Sequence, residues 1–275
     1  MYHGTEMPSF GDIWRDLQKK MGGGESLRNT NDDVERRFWK KYMNSQGQNG
    51  PDPYSARVWD EINYILGDSY YDSIIEIGPG WGNYSFNLAE RCRNLTCVDM
   101  SPDTLRYIKQ TGLEYGFHIN TVNEKWEDYR GRSADMVFAF NCFYRMSDIE
   151  ECLAKIDRCG DRFHIIGMTS GPEQEYLVDY EKILGLKVRF HRLDYIILLN
   201  VLYQNGIDCN VHMVDLTKDI KFRSLDQAVE KTSRRIISGE YSSEDLIRIL
   251  KKYLKKEEDG LYHYCHHFKA AVIYW

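Results

Sequence analysis

Three glycines at alternate positions, Gly78, Gly80 and Gly82, follow a short apolar run that contains one acid, Glu76. A second apolar run, Leu95 to Val98, stops at Asp99. Glycine adopts positive φ at little cost and lets a ligand approach the backbone, so alternate glycines after a strand suit a turn that cradles a nucleotide. A carboxylate at the end of the next strand is placed to hold the two hydroxyls of a ribose. Each residue also has a purely structural reading. The glycines suit a tight turn, Glu76 a solvated strand end, and Asp99 the cap of the helix that it or Ser101 must start.

Chemistry of this kind needs strands and helices to hold it in register. Candidate strands at 73–77, 95–99, 117–122, 135–140 and 163–168 alternate with candidate helices at 83–91, 102–111 and 147–158. Strands joined by helices of this length pair in parallel through right-handed crossovers, which predicts a three-layer α/β domain. Upstream, residues 31–42 place Val34, Phe38, Trp39 and Tyr42 along one helical face behind an Asp-rich start. A turn-rich stretch follows at 44–53, then a second helical pattern at 54–66. Residues 1–30 are polar and glycine-rich around Gly22 to Gly24, and part of them is expected to be mobile. Downstream lie a strongly apolar helix, Tyr195 to Tyr203, a strand at 208–214, a charged helical cover at 224–257 and a last strand at 262–274.

Composition narrows the possible partners. The chain has 275 residues, 42% of them hydrophobic and 28% charged, with a net charge of −6. It holds no basic run longer than pairs such as Lys251-Lys252, which weighs against nucleic acid as the main substrate. No apolar run approaches the roughly 18 residues of a membrane span, and the N-terminus lacks the basic start and apolar stretch of a secretion signal. The seven cysteines are scattered and odd in number, which suits reduced thiols and a cytoplasmic location.

The stretch from Ile74 to Ile166 resembles the class I S-adenosylmethionine-dependent methyltransferases. The resemblance is carried by Glu76-Ile-Gly-Pro-Gly-Trp-Gly82, Val98-Asp99-Met-Ser-Pro102, Trp126-Glu-Asp128, Ala134-Asp-Met-Val137 and Phe163-His-Ile-Ile166. Residues 36–60 resemble the lid segment of the members that act on small molecules. The resemblance implies a Rossmann-like, seven-stranded, mostly parallel sheet whose antiparallel last strand inserts between the fifth and sixth. It further implies a helical lid and substrate segment over residues 1–66 and a cofactor-binding domain over 67–275, with insertions at about 172–205 and 224–257. The implied cofactor is S-adenosylmethionine, leaving S-adenosylhomocysteine as product. By the same resemblance Glu76 organises the amino-acid portion of the cofactor, Gly78, Gly80 and Gly82 pass close to it, and Asp99 holds its ribose. Met100 packs on the adenine, with Trp126 or Glu127 at its edge, and Asn141 faces the methyl donor. Two positions depart from the family pattern. Lys125 stands where many members carry an adenine-binding aspartate, and Cys159-Gly160-Asp161 replaces the usual Pro-Gly-Gly.

The acceptor side is less defined. Trp39, Tyr42 and Tyr54 in the lid segment are candidates to touch the substrate. Tyr144 and His191 are the candidates for a general base, against a structural role for each. His263, Cys265 and His267 share one face of a strand and form a weak candidate metal set; the expected reading there is no metal. The leading expectation is transfer of a methyl group to a small molecule. The alternatives are a non-catalytic cofactor-binding partner protein, and methylation of protein or RNA. A nucleotide dehydrogenase is disfavoured, because its third glycine belongs one residue later, where this chain has Asn83.

Overall fold

The computed structural model describes residues 8–20, 28, 31–45, 52–189 and 194–275. The Gly22 to Gly24 stretch, most of the turn at 44–53, and His191 lie outside the described residues. Helices α1 (Phe10–Lys20), α2 (Asp32–Ser45) and α3 (Ser55–Leu66) precede the sheet. Then come β1 (Tyr71–Ile77), α4 (Ser85–Ala89), β2 (Cys92–Val98), α5 (Pro102–Glu114), β3 (Asn120–Val122), β4 (Ala134–Phe140), α6 (Ile149–Cys159) and β5 (Gly160–Ser170). The remainder comprises α7 (Glu175–Leu184), β6 (Lys187–Val188), α8 (Tyr195–Gln204), β7 (Asn210–Phe222), α9 (Leu225–Ser233), β8 (Ile236–Ser238), α10 (Ser243–Leu250), β9 (Lys255–Lys256) and β10 (Tyr262–Tyr274).

The main sheet runs β3-β2-β1-β4-β5-β10-β7. Strands β1 to β5 pair in parallel, and β10 runs antiparallel between β5 and β7. This is the expected seven-stranded order with its inserted last strand, and short β9 adds an eighth strand against β10. Alternation along β1 and β4 splits the core in two. Ile75, Ile77, Val137 and Ala139 face α6 and α8, whereas Ile74, Met136, Phe138 and Phe140 face α3, α4 and α5. No helix among the described residues is long and apolar enough to cross a membrane.

Caps place the helices that matter for the site. The Asn31 side chain accepts from the backbone of Asp33 and Val34 and starts α2. Ser101 accepts from Thr104 N–H, with Pro102 at the first helical position, and starts α5. Asp99 is therefore not the cap.

Several local expectations change. Helix α1 lies inside the stretch read as polar and glycine-rich, where no helix was expected. Its Ile13, Trp14 and Leu17 share a face, and Trp14 is fully buried with its indole N–H donating to the Met146 carbonyl at 2.8 Å. Helix α4 is shorter than expected, because the glycine turn continues through Asn83. The strand expected at 208–214 extends to Phe222, since Val214, Leu216, Ile220 and Phe222 alternate inward against Asp215, Thr217, Asp219 and Lys221. The charged region at 224–257 is not one helical cover. It breaks into α9, β8 paired with β6, and α10, and it packs with α7 around Tyr180, Leu246 and Leu250 as a separate small core.

Candidate functional site

The carboxyl ends of β1, β2 and β4 open into a cavity of about 640 Å³ roofed by α2. Gly78 and Gly80 sit at its floor with φ of 62° and 52°, in the left-handed region where only glycine is unstrained. The Gly78 N–H donates to the Val98 carbonyl at 2.9 Å, which ties the turn to the end of β2. A Cβ on Gly78 would lie 2.5 Å from that of Cys142, and one on Gly80 would lie 3.2 Å from the Trp39 ring. Gly82, with φ of 72°, does not line the cavity; it packs under Phe86 and Ile108.

Two acids project from the strand ends. Glu76 is 2% exposed, and burial pushes its carboxyl up to about 7, partly offset by Ser85 and by the Cys97 thiol, which donates to it at 3.3 Å. Asp99 is also pushed up to about 7 by burial, partly offset by the Ser101 N–H that donates to its Oδ1 at 2.7 Å. Asp99 lines the cavity. A hydroxyl pair there would bond a carboxylate that is otherwise poorly solvated.

The adenine-edge candidates occupy the same cavity differently. Met100 lines it and its carbonyl accepts from Arg36 at 3.4 Å. Trp126 lines it, but its indole N–H is spent on the Cys152 carbonyl at 3.1 Å, leaving Glu127 as the candidate with an unspent polar edge. Lys155, 9% exposed, reaches under this loop and donates to the Trp126 and Glu127 carbonyls at 2.5 and 3.3 Å, with its ammonium against the Trp126 face. Lys125, the departure from the family pattern, pairs with Asp32 at 2.5 Å, as does Arg145. Those bonds pin the start of α2.

Asn141 lines the cavity at φ of 55°, and its Oδ1 accepts from the Thr169 N–H at 2.8 Å. Only its amide nitrogen is left for a ligand. Tyr144 and Trp39 both donate to Glu35 Oε1, at 2.5 and 2.9 Å, and Arg28 bonds the other oxygen at 2.7 Å. Glu35 is fully buried by this arrangement. Burial, and Glu35 beside it, hold the Tyr144 phenol well above its ordinary range, which opposes a role as base. Tyr42 lines the cavity and packs at 5.0 Å on Trp81. Tyr54 lies behind the wall, edge-on to Phe268, with its hydroxyl donating to Asp52 at 3.3 Å.

The C-terminal cluster is elsewhere. His263 is held between Asp219 and Asp259 at 2.8 and 3.0 Å, while Cys265 and His267 are exposed. No group of three or more His, Cys, Asp or Glu among the described residues is arranged to hold a metal. Arg28, Glu35, Asp52 and Tyr84 are among the lining residues that were not anticipated. The 28-to-35 spacing of opposite charges was available in the sequence, but its burial was not.

Residues 74–160 match the family model described as a methyltransferase domain. Among curated proteins, an uncharacterized protein of Haemophilus influenzae is 25% identical over 170 residues, covering 60% of each chain. An rRNA adenine N-6-methyltransferase of Limosilactobacillus reuteri is 46% identical over 57 residues, 20% of this chain and 23% of that one. The chain thus spans less than two thirds of the length of either relative. Among solved structures, a candidate methyltransferase of Bacillus halodurans superposes with a TM-score of 0.51 at 11% identity, over 78% of this chain and 96% of that one. The YcgJ protein of Bacillus subtilis gives 0.50 at 14% identity, over 78% and 95%. At these identities the likeness is one of fold.

Proposed function

We propose that this chain, which carries a class I S-adenosylmethionine-dependent methyltransferase domain, binds the sulfonium donor in the cavity under α2 and passes its methyl group to a small-molecule acceptor. The observation that carries the reading is the pairing of Gly78 with Asp99. A floor too tight for any Cβ faces a poorly solvated carboxylate, one opening below the donor's amino-acid portion and the other reaching its ribose. Glu76 takes the donor's amino-acid end. Met100 and the Trp126–Glu127 loop take the adenine, and Asn141 and Tyr144 border the transferred methyl.

The chemistry asks little beyond alignment. The acceptor's lone pair attacks the methyl carbon as the carbon–sulfur bond breaks, and the electron pair stays on sulfur as S-adenosylhomocysteine forms. Sulfur is already a good leaving group, so proximity and exclusion of water supply most of the acceleration. The aromatic roof of Phe38, Trp39 and Tyr42 over a cavity of about 640 Å³ supports a small molecule over a polymer.

The short match to an rRNA adenine N-6-methyltransferase favours a second reading, transfer to an RNA base. The net charge of −6 weighs against it. Calorimetry against S-adenosylmethionine, S-adenosylhomocysteine and NAD tests the donor site; binding of NAD alone would overturn it. Radiolabel from the methyl group, followed into the small-molecule and RNA fractions of a cell extract, separates the acceptors. Label confined to RNA would establish the second reading, and binding without any transfer would leave a non-catalytic partner protein.

A further inference from the structure

Resting on the methyltransferase reading, we propose that the acceptor is an amine, received as its ammonium by Asp52 together with Tyr84. Asp52 lines the cavity, and the donors to its Oδ2 are neutral: the Asn83 amide at 3.0 Å and the Tyr54 hydroxyl at 3.3 Å. Asn83 also accepts from the Asp52 N–H at 2.9 Å, which fixes the carboxylate in place. Neither contact neutralises its charge.

Most of the cationic groups that line the cavity are committed elsewhere. Arg28 is spent on Glu35 and Lys125 on Asp32, and Arg145 pairs with Asp32 through Nη2 while its Nη1 is buried and unpaired. An anionic acceptor would therefore meet Asp52, Glu76 and Asp99 with only the Arg145 Nη1 to receive it. A cationic one gains a carboxylate in a wall that also holds Tyr42, Trp81 and Tyr84, a composition that suits ammonium groups.

Tyr84 supplies the independent observation. It lines the cavity, is 4% exposed, and its hydroxyl has no hydrogen-bond partner. Buried hydroxyls are rarely left unpaired, and one with Tyr54, Asp52 and Glu76 around it fits a site whose remaining partner is the ligand. The donor's own amino group does not need this site, because Glu76 lies under the glycine turn. Asp52 belongs instead to the segment before α3, outside the matched residues 74–160.

The transfer balances simply. The bound ammonium gives one proton to the Asp52 carboxylate. The freed lone pair forms the N–CH3 bond as the C–S bond breaks onto sulfur, giving a thioether and an N-methylated ammonium.

The test uses the protein saturated with S-adenosylhomocysteine and three probes of matched shape: phenethylamine, 2-phenylethanol and 3-phenylpropionate. Calorimetry should show the amine binding at least about tenfold more tightly than either analogue. Asp52→Asn should abolish that preference while S-adenosylhomocysteine affinity stays within about twofold, and Tyr84→Phe should weaken the amine several-fold. Absence of amine binding, a preference that survives Asp52→Asn, or an equal loss of S-adenosylhomocysteine binding in that variant would each overturn the assignment. The last result would give Asp52 to the donor and leave the methyltransferase reading standing. Failure of the unmutated protein to bind S-adenosylhomocysteine would remove both.

Discussion

The Tyr144 hydroxyl donates to Glu35 Oε1 at 2.5 Å, and this bond joins the roof helix α2 to the loop that follows β4. Glu35 also holds Trp39 and Arg28, so one fully buried carboxylate collects the roof around itself. Removing the acid leaves three donors without their acceptor. We expect Glu35→Leu to cost about 3 kcal/mol or more and Tyr144→Phe about 1–3 kcal/mol, read as shifts in the urea midpoint. Equal stability of Glu35→Leu and the unmutated protein would show that the network is incidental.

Gly78→Ala and Gly67→Ala form an informative pair. Both glycines have positive φ, but a Cβ on Gly78 meets Cys142 at 2.5 Å, whereas one on Gly67 meets nothing within 4 Å. Gly67→Ala should lose about 1 kcal/mol of stability and keep donor affinity. Gly78→Ala should lose donor binding by more than about tenfold, because Cys142 or the turn must move into the cavity. Equal donor affinities in calorimetry would contradict the placement of the donor on this turn.

Asp99→Ala removes a carboxylate that caps no helix, since Ser101 starts α5. The fold should persist while donor affinity falls by one to a few kcal/mol, about the worth of a charge-assisted hydrogen bond. An unchanged affinity would remove Asp99 from the donor site.

Donor binding should depend on pH. Glu76 and Asp99 are both raised to about 7, so at neutral pH each empty-site carboxyl is protonated part of the time. A cationic, hydroxyl-bearing donor prefers the ionised forms, so binding releases protons and affinity falls as pH drops below about 7. The unliganded protein should show the opposite trend. A raised carboxyl holds its proton more tightly when folded, so stability declines between the unfolded value near 4.5 and about 7 as pH rises. Calorimetry at pH values on either side of 7, in buffers of different ionisation enthalpy, measures the protons released. Flat affinity and no proton release would show that these acids do not face the donor.

Lys155→Met should loosen the Trp126–Glu127 loop, whose two carbonyls the ammonium holds from below. Donor affinity should fall several-fold, and S-adenosylhomocysteine should restore protection of the loop amides in hydrogen exchange less completely than in the unmutated protein. Matching exchange profiles would reduce Lys155 to a packing role.

The glycine turn and the acid-ended strand proposed to hold the donor were readable because their determinants are local. Gly78, Gly80 and Asp99 are fixed by a few neighbouring φ values and one strand end, and those leave a mark in the order of residues. Helix α1 was missed because the polar residues around Trp14 mask a four-position apolar stripe. The roof network was missed because Arg28, Glu35, Trp39 and Tyr144 meet only after α2 has docked on the sheet, and a glutamate on an amphipathic helix ordinarily faces water. Asp52 was hidden in a stretch that read only as a turn. The long β7 strand was underestimated because its charged alternate residues suppress the apolar signal of the buried ones.

The ribbon formed by β7 and β10 continues from Phe268 back to Tyr262 after β5 has ended at Ser170, and along it Tyr264, His266 and Phe268 stack toward Tyr54. Side chains on a strand change faces with every residue, so a one-residue slip would turn this stack outward. The wall behind Tyr54, on the side proposed for the acceptor, is therefore set by counting residues along two strands that do not line the cavity. A single deletion between Tyr262 and Phe268 should change acceptor preference in a methyl-transfer assay while donor affinity in calorimetry stays the same.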